Sequence, residues 1–380
     1  MKVALVHDYL NQMGGAERVV LALHELFPDA PLYTSIYAPE RVDPAFQKID
    51  VRTSFMQKFP FVIKHHQPFL PFYPSAMESL DLRGYDLVLS SSSAFGKGVI
   101  VKPGTLHICY CHTPMRWCWN YTEYVEREQM GKMARRILPF LITWLRVWDQ
   151  TTAARVDHFI ANSPIVAERI QKYYRQESIV IPPPVEGSRF LFDPHSQPRD
   201  YFLVLSRLAP YKRIDLAIQA CNQLHLPLVV IGSGRDEKAL KALAGPTIRF
   251  LGGLSDTEVL QYLAHCRAFL FPGEEDFGIT PLEAQASGRP VIAYGAGGAL
   301  TSVLEGVTGT FFQEQTVESL AAVLASFDER RYDPQTIRAH ALEFDKPRFQ
   351  RRILQFIETK MGAVRTQTPG WSSNSNELVV

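Results

Sequence analysis

Residues 274–284 read EEDFGITPLEA, which sets two carboxylates, Glu275 and Glu283, eight positions apart across a Phe, a Gly and a Pro. The stretch follows the apolar run RAFLFP and precedes a short helical segment that Gly288 would stop, so strand, loop and helix follow one another. A buried or cleft-facing carboxylate in the loop after a strand costs free energy unless something bonds to it, and ligand hydroxyls would suit Glu275. Glu283 has a blander account. Thr280-Pro281-Leu282-Glu283 fits a capping box, with Pro281 at the first helical position and Glu283 reaching back to the cap amide. The helix opening beside them would present free amides and a positive dipole end, which favour an anion such as a nucleotide diphosphate.

A second cluster is YFLVLSRLAPYKRID, where Arg207 directly follows an apolar run and Lys212 comes five residues later. Taken alone this could be a solvated basic loop. Its place at the carboxyl edge of a strand instead suits two cations that neutralise a departing diphosphate. Gly-rich turns follow strand-like runs at MGGAE (13–17), IGSGR (231–235) and GAGGA (295–299), where a ligand could approach the backbone or the chain could simply turn tightly. None completes a dinucleotide fingerprint or a P-loop. His112 ends the run TLHICYC on the same side as Tyr110, opposite Cys109 and Cys111; a core histidine and a site histidine both fit. There is no D-x-D and no H-E-x-x-H, so no metal site is expected and cations would take the metal's place. The lipase-type G-x-S-x-G is absent as well.

These residues need a scaffold. Short runs rich in Val, Ile and Leu alternate with helical periodicity, the signature of a parallel sheet covered on both faces. The pattern occurs twice: VALV (3–6), DLVLS (86–90), TLHICYC (105–111) and DHFIA (157–161), then YFLVLS (201–206), LPLVVI (226–231), IRFLG (248–252), RAFLFP (267–272) and RPVIAY (289–294). Between them IPPPVEGSRF (181–190) can neither continue a helix nor serve a central strand. The 380 residues therefore divide into a domain over 1–180, a hinge over 181–190, a domain over 191–345, a C-terminal helix over 346–361 and a disordered tail over 362–380. The helix would bury Phe349, Ile353, Phe356 and Ile357. Two such α/β units face each other across a cleft, with ligands beyond the carboxyl ends of the strands.

Lys and Arg total 40 against 39 Asp and Glu, a net charge of +1, which excludes the basic excess that nucleic-acid binding draws on. The N-terminal apolar run, Val3 to Val6, is too short for a signal-peptide core and no run spans a bilayer, so a cytoplasmic protein is expected. Cys109, Cys111 and Cys118 around His112 lack a paired C-x-x-C, and buried thiols are expected rather than zinc. GKMARRILPFLITWLRVW (131–148), with four cations and no acid, reads either as a core helix or as a peripheral contact with a membrane surface; FMQKFPFVIKHHQPF (55–69) has a similar character.

E-x7-E in a loop-helix together with R-L-x3-K after an earlier strand resembles the retaining glycosyltransferases of family 4, whose GT-B fold pairs two Rossmann-like domains. The resemblance runs over nearly the whole chain, through GGAE, the CHTP stretch, ANSP (161–164), SRLAPYK, FPGEEDFGITPLEAQASGRPVIA and TGTFF (308–312). MGGAERVV, SSSSAFGKGV and YCHTPMRWCW look most like bacterial surface-polysaccharide mannosyltransferases. The resemblance implies that Arg207 and Lys212 bind the diphosphate of a nucleotide-sugar donor, Glu275 its sugar and Glu283 its ribose. It also implies backbone amides from Phe277, Gly278 and Ile279, Gly15 against the phosphates, and His112 at the transferred sugar. The implied reaction moves mannose from GDP-mannose to a glycan or lipid-linked acceptor hydroxyl with retention and without metal or cofactor. Departures are Ser206 where the family has Gly before Arg-Leu, and the missing acid after Gly297-Gly298, where Thr301 lies nearby. A nucleotide-sugar 2-epimerase or a phosphorylase on the same fold, or a non-catalytic two-lobed nucleotide-binding module, fits the same architecture.

Overall fold

A computed structural model describes residues 1–120 and 132–367. Two parallel sheets form two Rossmann-like lobes, the GT-B arrangement expected from the sequence. The first sheet comprises β1 (Val3–His7), β2 (Leu32–Thr34), β3 (Val51–Thr53), β4 (Leu87–Ser92), β5 (Leu106–Cys111), β6 (His158–Ala161) and β7 (Ser178–Val180), in the order β3-β2-β1-β4-β5-β6-β7. The second comprises β8 (Phe202–Leu205), β9 (Leu228–Ile231), β10 (Ile248–Gly252), β11 (Phe269–Phe271), β12 (Val291–Tyr294) and β13 (Gly309–Phe312), in the order β10-β9-β8-β11-β12-β13. The nine runs read from sequence all lie on strands. The strands missed, β2, β3, β7 and β13, read LYT, VRT, SIV and GTFF, where Gly, Ser, Thr or Arg cuts the apolar run to two residues at most.

Covering both faces explains the composition of the strands. Val3 and Leu5 point into one core while Ala4 and Val6 point into another, and β8 splits likewise between Phe202 and Leu203. Strand order reverses beside β1 in the first sheet and beside β8 in the second, so the crevices at these switch points open between β1 and β4 and between β8 and β11.

The chain crosses between lobes twice, and the crossings brace each other. Val185 donates to the Phe344 carbonyl at 2.9 Å, Lys346 donates to the Val185 carbonyl at 3.0 Å, and the Asp345 carboxylate accepts from the Gly187 amide at 2.9 Å. The last helix, Lys346–Gln367, then lies on the first lobe, burying Phe349, Ile353, Ile357 and Met361 in the core that holds Tyr110. Phe356 is only partly buried. The helix continues to Gln367 where the sequence reading ends it at 361; residues 368–380 of the expected tail lie outside the described residues. Cys109 and Cys111 fill one core and Cys118 another, all as free thiols.

Candidate functional site

Every site residue of the second lobe stands on a loop at the β8/β11 switch point or on the helix that follows it. Arg207, two residues past β8, donates to the Tyr211 hydroxyl at 2.9 Å and reaches Gln12 of the first lobe at 3.3 Å. Lys212 closes the 3-10 turn Pro210–Lys212, lies 5.2 Å from the centre of the Tyr211 ring and forms an ion pair with Glu275. The side chains of Lys212 and Glu275 are 14% and 20% exposed, so the carboxylate that needed a partner finds it in this cation.

The glycine turns serve these loops. A Cβ on Gly234 would fall 2.1 Å from the Leu208 carbonyl oxygen, and one on Gly298 would fall 2.1 Å from the Phe277 Cα. Both turns therefore pack backbone on backbone beside Arg207 and Glu275, as the tight-turn reading of IGSGR and GAGGA requires. Gly278 has φ +77° and sits against the Phe271 ring, which only a residue without Cβ tolerates. Phe277 is buried beside Phe344.

The expected capping box does not form. Ile279 is already helical, with φ −77° and ψ −33°, so the helix Thr280–Ala286 has no side-chain cap. A capping side chain needs an extended residue ahead of the helix, and none is there. Glu283, buried, turns instead to the Arg18 guanidinium on the opposite lobe.

The first lobe supplies a dense polar wall at its own switch point. Asp8, just past β1, accepts from Ser92 Oγ at 2.9 Å and from the amides of Ser93, Ala94, Phe95 and Gly96 at 2.6, 3.0, 2.8 and 2.5 Å. So complete a set of donors makes Asp8 the organiser of the loop after β4. His7 donates Nδ1–H to the Ser91 carbonyl at 2.9 Å, because a carbonyl can only accept; Nε2 therefore faces Glu17 Oε1 at 3.7 Å. Burial alone would push His7 down, but the hydrogen bond to Glu17, the charges of Glu17 and Asp8 and the Ser91 carbonyl carry it above its usual value.

His112 lies within 2.8 Å of Ser91 Oγ and 5.2 Å from the Tyr110 ring centre. Burial first, then the charge of His7, pushes it down to about 3. His107, 2.9 Å from Ser90 Oγ, falls to about 4 through burial, with the charge of Lys97 adding. These signs set the acid response. The unfolded chain binds protons below about pH 6.5 that neutral His107 and His112 refuse, so each removes about 1.4 kcal/mol of stability per pH unit as pH falls toward 4. His7 acts oppositely: its contribution is complete below its unfolded value and is lost as pH rises through its folded one. Urea unfolding from pH 4 to 8 should show a shallower acid decline for His107→Gln than for wild type, and equal slopes would contradict a neutral His107.

The lobes meet over a cleft of about 420 Å³, lined by His7, Gly15 and Glu17 on one side and by Arg207 and Lys212 on the other. Gly15 opens the helix Gly15–His24, and a Cβ there would come 2.9 Å from Ile279 Cδ1 across the cleft. Gly15, Arg207, Lys212, Glu275 and Ile279 thus converge, while Glu283 is reached through Arg18. His112 keeps to its own lobe, its side chain contacting Ser91 and Tyr110. Sequence reasoning missed His7, Asp8, Glu17 and Arg18. The signals were there, in a His-Asp pair ending the first strand and two charges following Gly14-Gly15.

Comparisons with known proteins agree with this architecture. The model of Glycosyltransferase Family 4 matches residues 13–189, and that of Glycosyl transferases group 1 matches residues 192–341. A GDP-mannose-dependent monoacylated alpha-(1-6)-phosphatidylinositol monomannoside mannosyltransferase of Corynebacterium glutamicum is 36% identical over 31% of this chain and 35% of its own length. Human alpha-1,3/1,6-mannosyltransferase ALG2 is 25% identical over 56% of this chain and 57% of its own. The chain spans 35% to 48% of the length of three curated relatives it matches. Among solved structures, Anabaena Alr3699/HepE in complex with UDP aligns at TM-score 0.70 and 17% identity over 94% of this chain and 100% of that one. Sucrose-phosphate synthase from Thermosynechococcus elongatus aligns at 0.73 and 17% over 96% and 100%.

Proposed function

We propose, from the premise that this chain belongs to the family 4, group 1 glycosyltransferases of GT-B fold, that it moves a hexosyl unit from a nucleotide sugar to an acceptor hydroxyl. The observation that carries the reading is the Lys212–Glu275 pair beside Arg207 at the β8/β11 switch point, opposite Gly15. Arg207 and Lys212 neutralise the diphosphate as its bond to the anomeric carbon breaks. Glu275 orients the hexose, and Glu283, released from Arg18, takes the ribose. The acceptor oxygen forms its bond on the same face, and its proton passes to the departing phosphate oxygen, so the configuration is retained. No metal enters, because two fixed cations stand where one would act. Mannose from GDP-mannose is the favoured donor, since the Corynebacterium relative is named for it and ALG2 for mannosyl transfer. UDP-glucose is the alternative, as HepE has been crystallised with it.

The test is release of nucleoside diphosphate from GDP-mannose and UDP-glucose, with glycan or lipid-linked acceptors, in excess EDTA. Acceptor-dependent release supports the reading. Interconversion of the donor without acceptor would indicate an epimerase, binding without turnover a nucleotide-binding module, and strict divalent-ion dependence would contradict the cation argument.

The acceptor side favours a lipid-linked substrate met at a membrane surface. The helix Lys132–Ala153 both buries a face, through Ile142 and Leu145, and exposes another through Phe140, Trp144 and Val147. Phe140 is 79% exposed and Phe61, in the other aromatic stretch, 75%. Of its cations, Arg146 donates to the Cys118 carbonyl at 2.7 Å; Gly131 and the side chains of 132–137 lie outside the described residues. Among the described residues no helix is long and apolar enough to cross a membrane. Flotation with anionic liposomes should carry the protein upward, and Phe140→Ser with Trp144→Ser should abolish it; no association by wild type removes the idea.

A further inference from the structure

The segment EEDFGITPLEA belongs to the second lobe, yet the first lobe holds it at four residues, Glu274, Asp276, Ile279 and Glu283. Arg169, which ends the helix Pro164–Arg169 after β6, forms an ion pair with the Asp276 carboxylate, and its Nη1 also lies 3.4 Å from Thr113 Oγ1. Arg116 stands 3.9 Å from the same carboxylate and donates to the Glu274 carbonyl at 3.3 Å. Ser163 Oγ donates to the Asp276 carbonyl at 2.5 Å. Farther along, Ile279 lies against Gly15 and Glu283 against Arg18. Glu275, between two residues held from across the cleft, turns back to Lys212 of its own lobe.

This pattern differs from a general lobe-to-lobe adhesive. The clamped groups are two backbone carbonyls and one carboxylate on Glu274 and Asp276, the immediate neighbours of Glu275. Arg169 and Asp276 are 16% and 17% exposed, so their charges are screened less than on an open surface. Fixing both neighbours fixes where the Glu275 carboxylate points, and small displacements of an orienting group are costly to a reaction that depends on alignment.

We propose that Arg169, with Arg116 and Ser163, is a positioning set that holds the Glu275 loop in its working geometry when the lobes are closed. None of the three is among the residues assigned above to the donor. The proposal rests on the reading of Glu275 as the residue that orients the transferred sugar. It deepens that reading by making the working site a property of both lobes together.

The experiment compares wild type, Arg169→Ala, Arg169→Lys and Asp276→Asn, using whichever of GDP-mannose and UDP-glucose the wild type turns over. Read-outs are kcat, KM for the donor, affinity for the nucleoside diphosphate by calorimetry, and thermal midpoint. Arg169→Ala and Asp276→Asn should each lower kcat by about tenfold or more, leaving nucleotide affinity within about threefold because Arg207, Lys212 and Glu283 are untouched. Arg169→Lys, which keeps the charge, should recover part of the loss. A folded Arg169→Ala enzyme with wild-type kcat overturns the proposal. So does a loss of kcat matched by equal losses of nucleotide affinity and thermal midpoint, since that describes a damaged fold. Absence of transfer by the wild type overturns the transferase reading and this proposal with it, whereas wild-type transfer with Arg169→Ala unimpaired overturns this proposal alone.

Discussion

Replacing Lys212 by alanine, or Glu275 by glutamine, lowers glycosyl transfer by at least about tenfold, or about 1.4 kcal/mol of barrier, while the protein stays folded. The two changes act on different partners of the reaction. Lys212→Ala removes one of the two cations proposed to face the diphosphate, and two unit charges 4 Å apart interact by about 4 kcal/mol at an effective dielectric of about 20. Much of that is offset by water entering the gap, which is why the expected loss is set well below it. Glu275→Gln preserves shape and one acceptor but removes the charge that balances Lys212 and that, on the proposed reading, draws the sugar hydroxyls. Stability should change little, because the pair lies at the edge of a cleft and water can replace either partner. Initial rates at saturating donor, read beside thermal unfolding, check both statements. Full activity in either variant would count against the assignment of the cleft.

The parts of this site legible in the sequence share one property: each sits on the segment that directly follows the strand that positions it, within eight residues of its end. Arg207, Lys212, Glu275 and Gly15 could be placed at strand ends because apolar runs mark the strands and the residues after them must emerge at the sheet edge. What was not legible depends on partners far along the chain. Glu283 satisfies a local capping pattern by composition, but a guanidinium 265 residues away competes for the same carboxylate and prevails. Asp8 can be marked from its place at the end of the first strand, but what it holds is set by the loop after β4, some 85 residues on, which folds around it. The glycine turns show the same limit: their composition announces close approach, and only the fold reveals that the approaching object is the chain itself.

The same loop carries the largest stability effect expected. Lys97 is 1% exposed and its ammonium lies 2.5 Å from Asp149, itself 0% exposed. Trp119 Nε1 at 2.7 Å and the Tyr174 hydroxyl at 2.9 Å complete the carboxylate's donors. Lys97→Met leaves that carboxylate buried without its counter-charge, and breaking a buried pair on one side costs about 3–5 kcal/mol. Adding Asp149→Asn removes the stranded charge while still accepting from Trp119 and Tyr174, so the double variant should recover much of the loss. Urea unfolding of the single and double variants measures both, and a single-variant loss below about 1 kcal/mol would mean that water reaches Asp149. The consequence extends to the cleft. Lys97 belongs to the turn whose amides hold Asp8, and the Trp148 ring, 5.3 Å from its ammonium, packs on that turn from the helix Lys132–Ala153. The single variant should therefore lose transfer activity at temperatures where most molecules are still folded, because the turn loosens before the lobe does.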